Sequence, residues 1–109
     1  MKDIITFADF QKLDLKVATI LEVTQVEGSD KMLKIQIDLG DEKRQILASL
    51  GKVYTKEELI GKQLIVLTNL EPKKMMGEES QGMLLAADSN GEIAFLTTHK
   101  KMPSGAMVR

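Results

Sequence analysis

A chain of 109 residues is long enough for one hydrophobic core and leaves little room for a second, catalytic domain. It has no cysteine, which excludes disulfides and thiolate metal sites, and none of its apolar runs approaches the ~20 residues that a membrane-spanning helix requires. Fifteen basic and sixteen acidic residues give a formal net charge of −1, so a polyanion would have to be held by a local cluster of cations.

The first residues, MKDIITFADFQK, predict a short helix over residues 6–13. Thr6 is a suitable N-cap, and the helical period places Phe7, Phe10 and Leu13 on one side. Two roles stay open for this helix, which either closes one end of the core or joins a subunit interface. Two acids stand where a secretory signal requires a basic start, so we expect an unsecreted, cytoplasmic protein.

Three strands are predicted next. Residues 14–26 alternate with period two, with Leu15, Val17, Thr19, Leu21 and Val23 on one face. Residues 32–39 alternate most clearly, and we expect Leu33, Ile35, Ile37 and Leu39 to point inward. Residues 44–50 return as a third strand, so the three strands form an antiparallel meander.

A short helix is predicted between the third and fourth strands. Thr55 and Glu58 fit a capping box, and the helix ends by Gly61. A helix in this position plugs the open end of an oligonucleotide-binding (OB) barrel, so the expected fold class is all-β.

The segment from Lys62 to Asp88 reads as a strand, a basic elbow and a second strand. Pro72 interrupts the first strand because it has no N–H, and residues 83–87 resume an apolar run. We therefore expect residues 73–77, with two lysines, two methionines and Gly77, to form an exposed loop that suits phosphates and bases. A turn at residues 89–91 leads to a last strand over residues 92–97, before a basic tail.

Four stretches carry a family resemblance in their order and spacing: LKVATILEV, SDKMLKIQIDLG, YTKEELIGK and NLEPKKMMGEESQGMLLAA. Together they resemble the tRNA-binding module found at the C-terminus of methionyl-tRNA synthetases and in free-standing proteins, over residues 10–109. The resemblance implies one domain over residues 1–109, with an N-terminal helix (1–13), a five-stranded OB barrel (14–97) and a C-terminal extension used in dimerisation (98–109).

The same resemblance implies a non-catalytic function and no cofactor. It predicts that folded tRNA is bound by its shape and its phosphates, by a homodimer that is free-standing or serves as a beta-type subunit of methionyl-tRNA synthetase. The predicted tRNA-contact residues are Lys31, Asn69, Lys73, Lys74, Met76, Ser80, Gln81 and Met83. The predicted dimer-interface residues are Phe7, Phe10, Met102, Pro103 and Met107.

For several of these residues the alternative is a role without any ligand contact. The alternative for the lysines is that they are ordinary solvated side chains, and this applies to Lys31, Lys73 and Lys74. For Asn69 the alternative is a turn cap, and for Met83 it is a place in the core. The sequence also departs from the family pattern. Residues 26–28 replace a usual His-Pro pair, and Glu71 and Met76 stand where basic residues are common in relatives, which lowers the expected attraction for tRNA.

Two other functions are alternatives to tRNA binding. One is a dimeric export-related chaperone that binds peptides with the same barrel, which the seven methionines and the acidic balance fit. The other is a purely structural interaction module. Catalysis is not expected, because His99 is the only histidine and no nucleophile, metal-ligand spacing or phosphate loop accompanies it.

Overall fold

The computed structural model describes all residues from Met1 to Arg109 and contains two short helices and ten strands. The helices are α1 (Phe7–Phe10) and α2 (Lys56–Leu59). The strands are β1 (Leu15–Gln25), β2 (Leu33–Asp38), β3 (Lys43–Ala48), β4 (Gln63–Leu67), β5 (Lys73–Met75), β6 (Glu78–Ser80), β7 (Met83–Leu84), β8 (Ala86–Ser89), β9 (Glu92–Phe95) and β10 (Met107–Val108). Neither helix is long or apolar enough to cross a membrane.

Five strands form an antiparallel sheet in the order β3-β2-β1-β4-β7, and this sheet curls until its two edges meet. At the junction the backbone N–H of Gln81, just before β7, donates to the carbonyl oxygen of Gln45 on β3 at 2.8 Å. Closure of a sheet removes the unpaired edges on which other chains could pair. The predicted five-stranded OB barrel with short helices is therefore confirmed.

The barrel interior is filled by the residues that the alternation in β2 predicted. Leu33, Ile35, Ile37 and Leu39 are all buried. Leu59 of α2 is fully buried in the same cluster, and Thr55 and Glu58 exchange side-chain and backbone hydrogen bonds as a capping box. This helix thus covers one end of the barrel, as predicted.

Strand β1 differs from its predicted alternation. Ala18 and Ile20, expected to face outward, are buried, whereas Leu21 is exposed. The pairing of β1 with β2 shifts register between Ile20 and Glu22, so a bulge reverses the faces midway along the strand. The first half is also covered on both sides, because Leu15 and Val17 belong to a second small core cluster. Packing against residues that are distant in the sequence therefore determines which side chains of β1 are buried, and the period of two does not.

The second core cluster is formed by the C-terminal extension, which folds back onto its own barrel. Strand β10 pairs with the start of β1, with Leu15 opposite Val108. Val17 donates its N–H to the carbonyl oxygen of Ala106 at 2.9 Å, and accepts a hydrogen bond from the N–H of Gly105 at 2.7 Å. Residues 105–108 thus continue the sheet along the part of β1 that β2 leaves free.

Two small hairpins project from the barrel. The predicted turn at residues 89–91 is confirmed and joins β8 to β9, with Asn90 and Gly91 both at positive φ. The predicted loop at residues 73–77 is wrong, because these residues begin a second hairpin of β5 and β6. Strand β4 already ends at Leu67, before Pro72 is reached, and pairing resumes in β5 immediately after Pro72.

Candidate nucleic-acid interface

The hairpin of β5 and β6, here called the basic hairpin (residues 73–80), turns at Met76 and Gly77. Both residues have positive φ, 52° and 80°, which is the backbone geometry of the tight two-residue turns that match strand twist. A positive φ is uncommon for methionine, and this is why the sequence did not indicate a hairpin. The outcome is a short ribbon that carries Lys73 and Lys74.

The basic hairpin is fixed on the outside of the barrel by polar contacts. Lys34 on β2 forms an ion pair with Glu78, with 3.3 Å between Nζ and Oε2. Gln45 on β3 donates from Nε2 to the carbonyl oxygen of Glu79 at 2.9 Å. Because these contacts come from two adjacent strands, they set the direction in which the ribbon projects.

Lys73 and Lys74 are both exposed, and neither lies within ion-pair distance of a carboxylate. The cations in ion pairs are Lys12, Lys16, Lys34, Arg44 and Lys52. In the hairpin register Lys73 lies opposite Ser80, and Lys74 lies opposite Glu79. Successive strand residues point to opposite faces, so the two ammonium groups lie on the two sides of the ribbon rather than on one.

The tip of the basic hairpin lies next to the turn between β1 and β2. The Met76 side chain is 53% exposed, and its Cε lies 3.5 Å from the position that a Cβ on Gly28 would take. The same turn carries Lys31, which is exposed and makes no ion pair. The tip of the basic hairpin and the turn that carries Lys31 therefore lie at the same end of the barrel.

Asp30, the neighbour of Lys31, is neutralised by another residue. Lys52 lies 3.1 Å from its carboxylate, and the hydrogen bond and the charge of Lys52 hold the pKa of Asp30 below its usual range. The charge of Lys31 also lowers the pKa of Asp30, as the smallest of the causes, but Lys31 makes no ion pair with this carboxylate.

Two of the predicted contact residues have their polar atoms occupied inside the molecule. Asn69 accepts from the N–H of Asp14 at 2.8 Å and donates to the carbonyl oxygen of Lys12 at 2.6 Å. Ser80 is buried, and its hydroxyl joins the N–H of Leu47 to the carbonyl oxygen of Gly82. In this structure Asn69 fixes the N-terminal segment and Ser80 fixes the base of the hairpin, while contact of either residue with tRNA stays a prediction.

Gln81 and Met83 remain at the surface. The Oε1 atom of Gln81 accepts from the backbone N–H of Gln45 at 3.1 Å, which helps close the barrel. Met83 is 48% exposed, so the alternative that it is a core residue is wrong. It lies at an apolar cleft of about 600 Å³, between the end of β3 and the hairpin of β8 and β9.

The residues predicted for a dimer interface are divided between surface and core. Phe7 is 72% exposed and stacks on Phe10, with 6.3 Å between ring centroids, and Met107 is 63% exposed. These three residues line one cleft of about 430 Å³. Met102 packs with the second core cluster, whereas Pro103 is exposed outside that cleft.

A second group of basic residues was not among the predicted site residues. Lys62, His99, Lys100 and Lys101 line one polar cleft at the start of β4. The sequence contained a signal for it, since His99 to Lys101 is a basic run in a segment without acids, but Lys62 is distant along the chain. Nowhere in the structure are three histidine, aspartate or glutamate side chains grouped as metal ligands would be.

Comparison with known proteins places this geometry in a family. A methionine–tRNA ligase of Caldanaerobacter subterraneus subsp. tengcongensis is 53% identical over 106 residues, which are 97% of this chain and 17% of that enzyme. The chain thus spans about a sixth of the length of the synthetases that it matches.

Two solved structures have the same fold. A MetRS-related protein from Pyrococcus horikoshii superimposes with a TM-score of 0.93 at 32% identity, covering 99% of this chain and all of that one. The chaperone CsaA from Bacillus anthracis superimposes with a TM-score of 0.91 at 27% identity, covering 98% of this chain and all of that one.

The family match rests on most of the chain, from the first strand of the barrel to the last. Residues 15–107 match the family described as "Putative tRNA binding domain". The matched range includes the basic hairpin, the β1–β2 turn and nearly all of the C-terminal extension. The chain therefore belongs to this tRNA-binding domain family.

Proposed function

We propose that this chain binds folded tRNA without catalysing a reaction, through the basic hairpin and the adjacent β1–β2 turn. The observation that carries the proposal is the pair Lys73 and Lys74, exposed and without a carboxylate partner on a hairpin that is fixed to the barrel. Lys31 adds a third cation beside the hairpin tip. Phosphate contacts of this kind position a nucleic acid without reading its sequence.

Recognition by shape fits this surface better than stacking of single-stranded bases. Tyr54 packs on Phe95 with 5.1 Å between ring centroids, and Phe7 packs on Phe10, so each aromatic ring of the chain is paired with another, and the basic hairpin itself contains none. Proteins that bind single strands without sequence preference use exposed aromatic platforms. Here the exposed thioether of Met76 is the apolar group beside the lysines, and it suits contact with sugars or base edges.

The proposed assembly is a homodimer built on the exposed aromatic cleft of Phe7, Phe10 and Met107. Two copies would duplicate the basic hairpin, so that one RNA could contact both and gain avidity. We further propose that the chain acts in the cytoplasm, as a free protein or together with methionyl-tRNA synthetase. The 53% identity to part of a methionine–tRNA ligase supports that association.

A peptide-binding chaperone is the second candidate function. It is favoured by the apolar cleft beside Met83 and by the structural likeness to the chaperone CsaA. The lower identity to CsaA, 27%, against 53% to the methionine–tRNA ligase, makes it the weaker of the two. Peptide binding at this cleft would leave the lysines of the hairpin without a role.

The test is a titration of the wild-type chain with a folded tRNA transcript at two salt concentrations. The logarithm of the binding constant should fall linearly with the logarithm of salt, because phosphate contacts release counterions. Substitution of both Lys73→Ala and Lys74→Ala should weaken binding about 10-fold and reduce the slope by about 2, since each phosphate contact contributes about 1.

The matched control substitutes two other unpaired, exposed lysines, Lys43→Ala and Lys56→Ala, which changes the net charge equally. This control variant should bind tRNA within about twofold of the wild type. Equal binding by the two double variants would overturn the site. Absence of binding by the wild type, together with binding of an unfolded polypeptide, would favour the chaperone function.

A further inference from the structure

The polar cleft at the start of β4, lined by Lys62, Thr97, Thr98, His99, Lys100 and Lys101 among others, is separate from the basic hairpin. It has a volume of about 330 Å³, and no aspartate, glutamate or hydrophobic residue lines it. Its three lysines are exposed, and none is within ion-pair distance of a carboxylate. The cleft thus carries three positive charges without a neutralising partner.

These cations are held in place although they lie near the end of the chain. Thr97 donates from its hydroxyl to the carbonyl oxygen of Gln63 at 2.7 Å, and Thr98 donates to the Gln63 side chain at 3.3 Å. Residues that flank the basic run are therefore attached to the first residue of β4. This attachment brings Lys100 and Lys101 to the same cleft as Lys62.

The cleft at the start of β4 combines its lysines with no acidic residue, whereas the basic hairpin carries both signs of charge. The hairpin has Lys73 and Lys74 but also Glu78 and Glu79, and Glu71 precedes it. At physiological salt a phosphate responds to charges within about 8 Å, so nearby acids reduce the potential that the hairpin offers. The cleft at the start of β4 has no such opposing charge among its lining residues.

We propose that Lys62, Lys100 and Lys101 form a second phosphate-binding surface, which holds the sugar–phosphate backbone of the same RNA that the basic hairpin binds. This inference rests on the proposed function and deepens it. Lys62 precedes β4, whereas the basic hairpin is held against β2 and β3 by Lys34 and Gln45. An RNA that contacts both surfaces must therefore reach from the start of β4 to the outside of β2 and β3.

A polyanion suits the cleft better than a small phosphorylated ligand. Pockets for small molecules enclose their ligand and place a few polar groups among apolar walls. This cleft has no apolar wall, and its charges are exposed lysines, which act on phosphates as point charges. Several such contacts spread over a surface are what an RNA backbone provides.

The test compares triple variants of the full chain against a folded tRNA transcript. Lys62→Ala with Lys100→Ala and Lys101→Ala should weaken binding at least about 10-fold and reduce the salt slope by about 2 to 3. The control removes three unpaired lysines that lie outside both surfaces, Lys2→Ala, Lys43→Ala and Lys56→Ala. Thermal unfolding of both variants verifies that each retains the fold.

The outcomes separate this inference from the proposed function. If the wild type binds tRNA and the two triple variants bind equally well, the second surface is overturned while the function stands. If the wild type does not bind tRNA, the proposed function fails, and this inference fails with it. A five-lysine variant that combines both surfaces should lose more affinity than either alone, with the slope reduced by about 4 to 5.

Discussion

The side-chain amide of Gln63 makes two hydrogen bonds to the backbone of Met102, one to its carbonyl oxygen and one to its N–H. Its Nε2 donates to the carbonyl oxygen of Met102 at 2.6 Å, and its Oε1 accepts from the N–H of Met102 at 3.0 Å. The same amide also donates to the hydroxyl of Thr19 at 3.2 Å. One side chain at the start of β4 therefore joins the barrel to its C-terminal extension.

Gln63→Ala should loosen the extension and destabilise the chain. The substitution leaves two backbone groups of Met102 without partners, and a lost hydrogen bond costs about 0.5 to 1.5 kcal/mol, so the free energy of unfolding should fall by about 2 kcal/mol. Urea denaturation measures this change, and amide exchange at Met102 should accelerate. The control Gln11→Ala removes a side chain that makes no hydrogen bond, so it should leave the urea midpoint unchanged. Equal midpoints for the two variants would contradict the anchoring role.

Gly105→Ala should be more damaging than a substitution at another glycine of the same conformation. Gly105 has a φ of +89°, and a Cβ there would collide with the carbonyl oxygen of Leu39. Gly91 has a φ of +83°, but no atom lies within 4 Å of its Cβ position. Gly91→Ala should therefore cost only about 1 kcal/mol of backbone strain, and Gly105→Ala about 2 to 3 kcal/mol more. Thermal unfolding of both variants checks the difference, and similar losses would show that the extension can move away from Leu39.

Glu79→Gln should strengthen the binding of tRNA. Glu79 lies opposite Lys74 in the hairpin, and its backbone carbonyl rather than its carboxylate holds the hairpin to Gln45. Removing its charge should tighten binding about threefold at low salt, because two unit charges about 6 Å apart in water interact by about 0.7 kcal/mol. Glu92→Gln, on the other hairpin, is the matched control and should have no effect. Weaker binding by Glu79→Gln would mean that the carboxylate itself takes part in the site.

Phe7→Asp should convert the proposed homodimer to single chains. The charge would enter the cleft of Phe7, Phe10 and Met107, where an unpaired carboxylate cannot be buried against a second copy. Light scattering should give twice the single-chain mass of 12.1 kDa for the wild type and 12.1 kDa for the variant. Val53→Asp places the same charge at another exposed apolar position and should leave the mass unchanged. A wild-type mass of one chain would refute the dimer.

Local patterns predicted the barrel well because its elements are set by nearby residues. The alternation of β2 and the capping box of Thr55 and Glu58 are properties of a few consecutive positions, and both are found in the structure. The faces of β1 were predicted less well, since Ala18 and Ile20 are buried and the bulge that follows Ile20 shifts the alternation for the rest of the strand. Burial of Leu15 and Val17 depends on an extension about 90 residues away, which no local period encodes.

The candidate site was predicted in its composition rather than in its geometry. Adjacent lysines before a glycine indicated Lys73 and Lys74, but strand alternation places them on opposite faces of a ribbon. Asn69 has partners 55 and 57 residues away, so its structural role is not visible in its own neighbourhood. The grouping of Lys62 with Lys100 and Lys101 likewise depends on the fold.

The pairing of β10 with the first residues of β1 has a consequence for handling of the protein. The N–H and carbonyl groups of Leu15 and Val17 are satisfied only by the last few residues of the chain. Proteolytic trimming of those residues would uncover a hydrophobic strand edge to which a strand of another molecule could add. A preparation that loses its C-terminal residues should therefore aggregate, although its barrel core is intact.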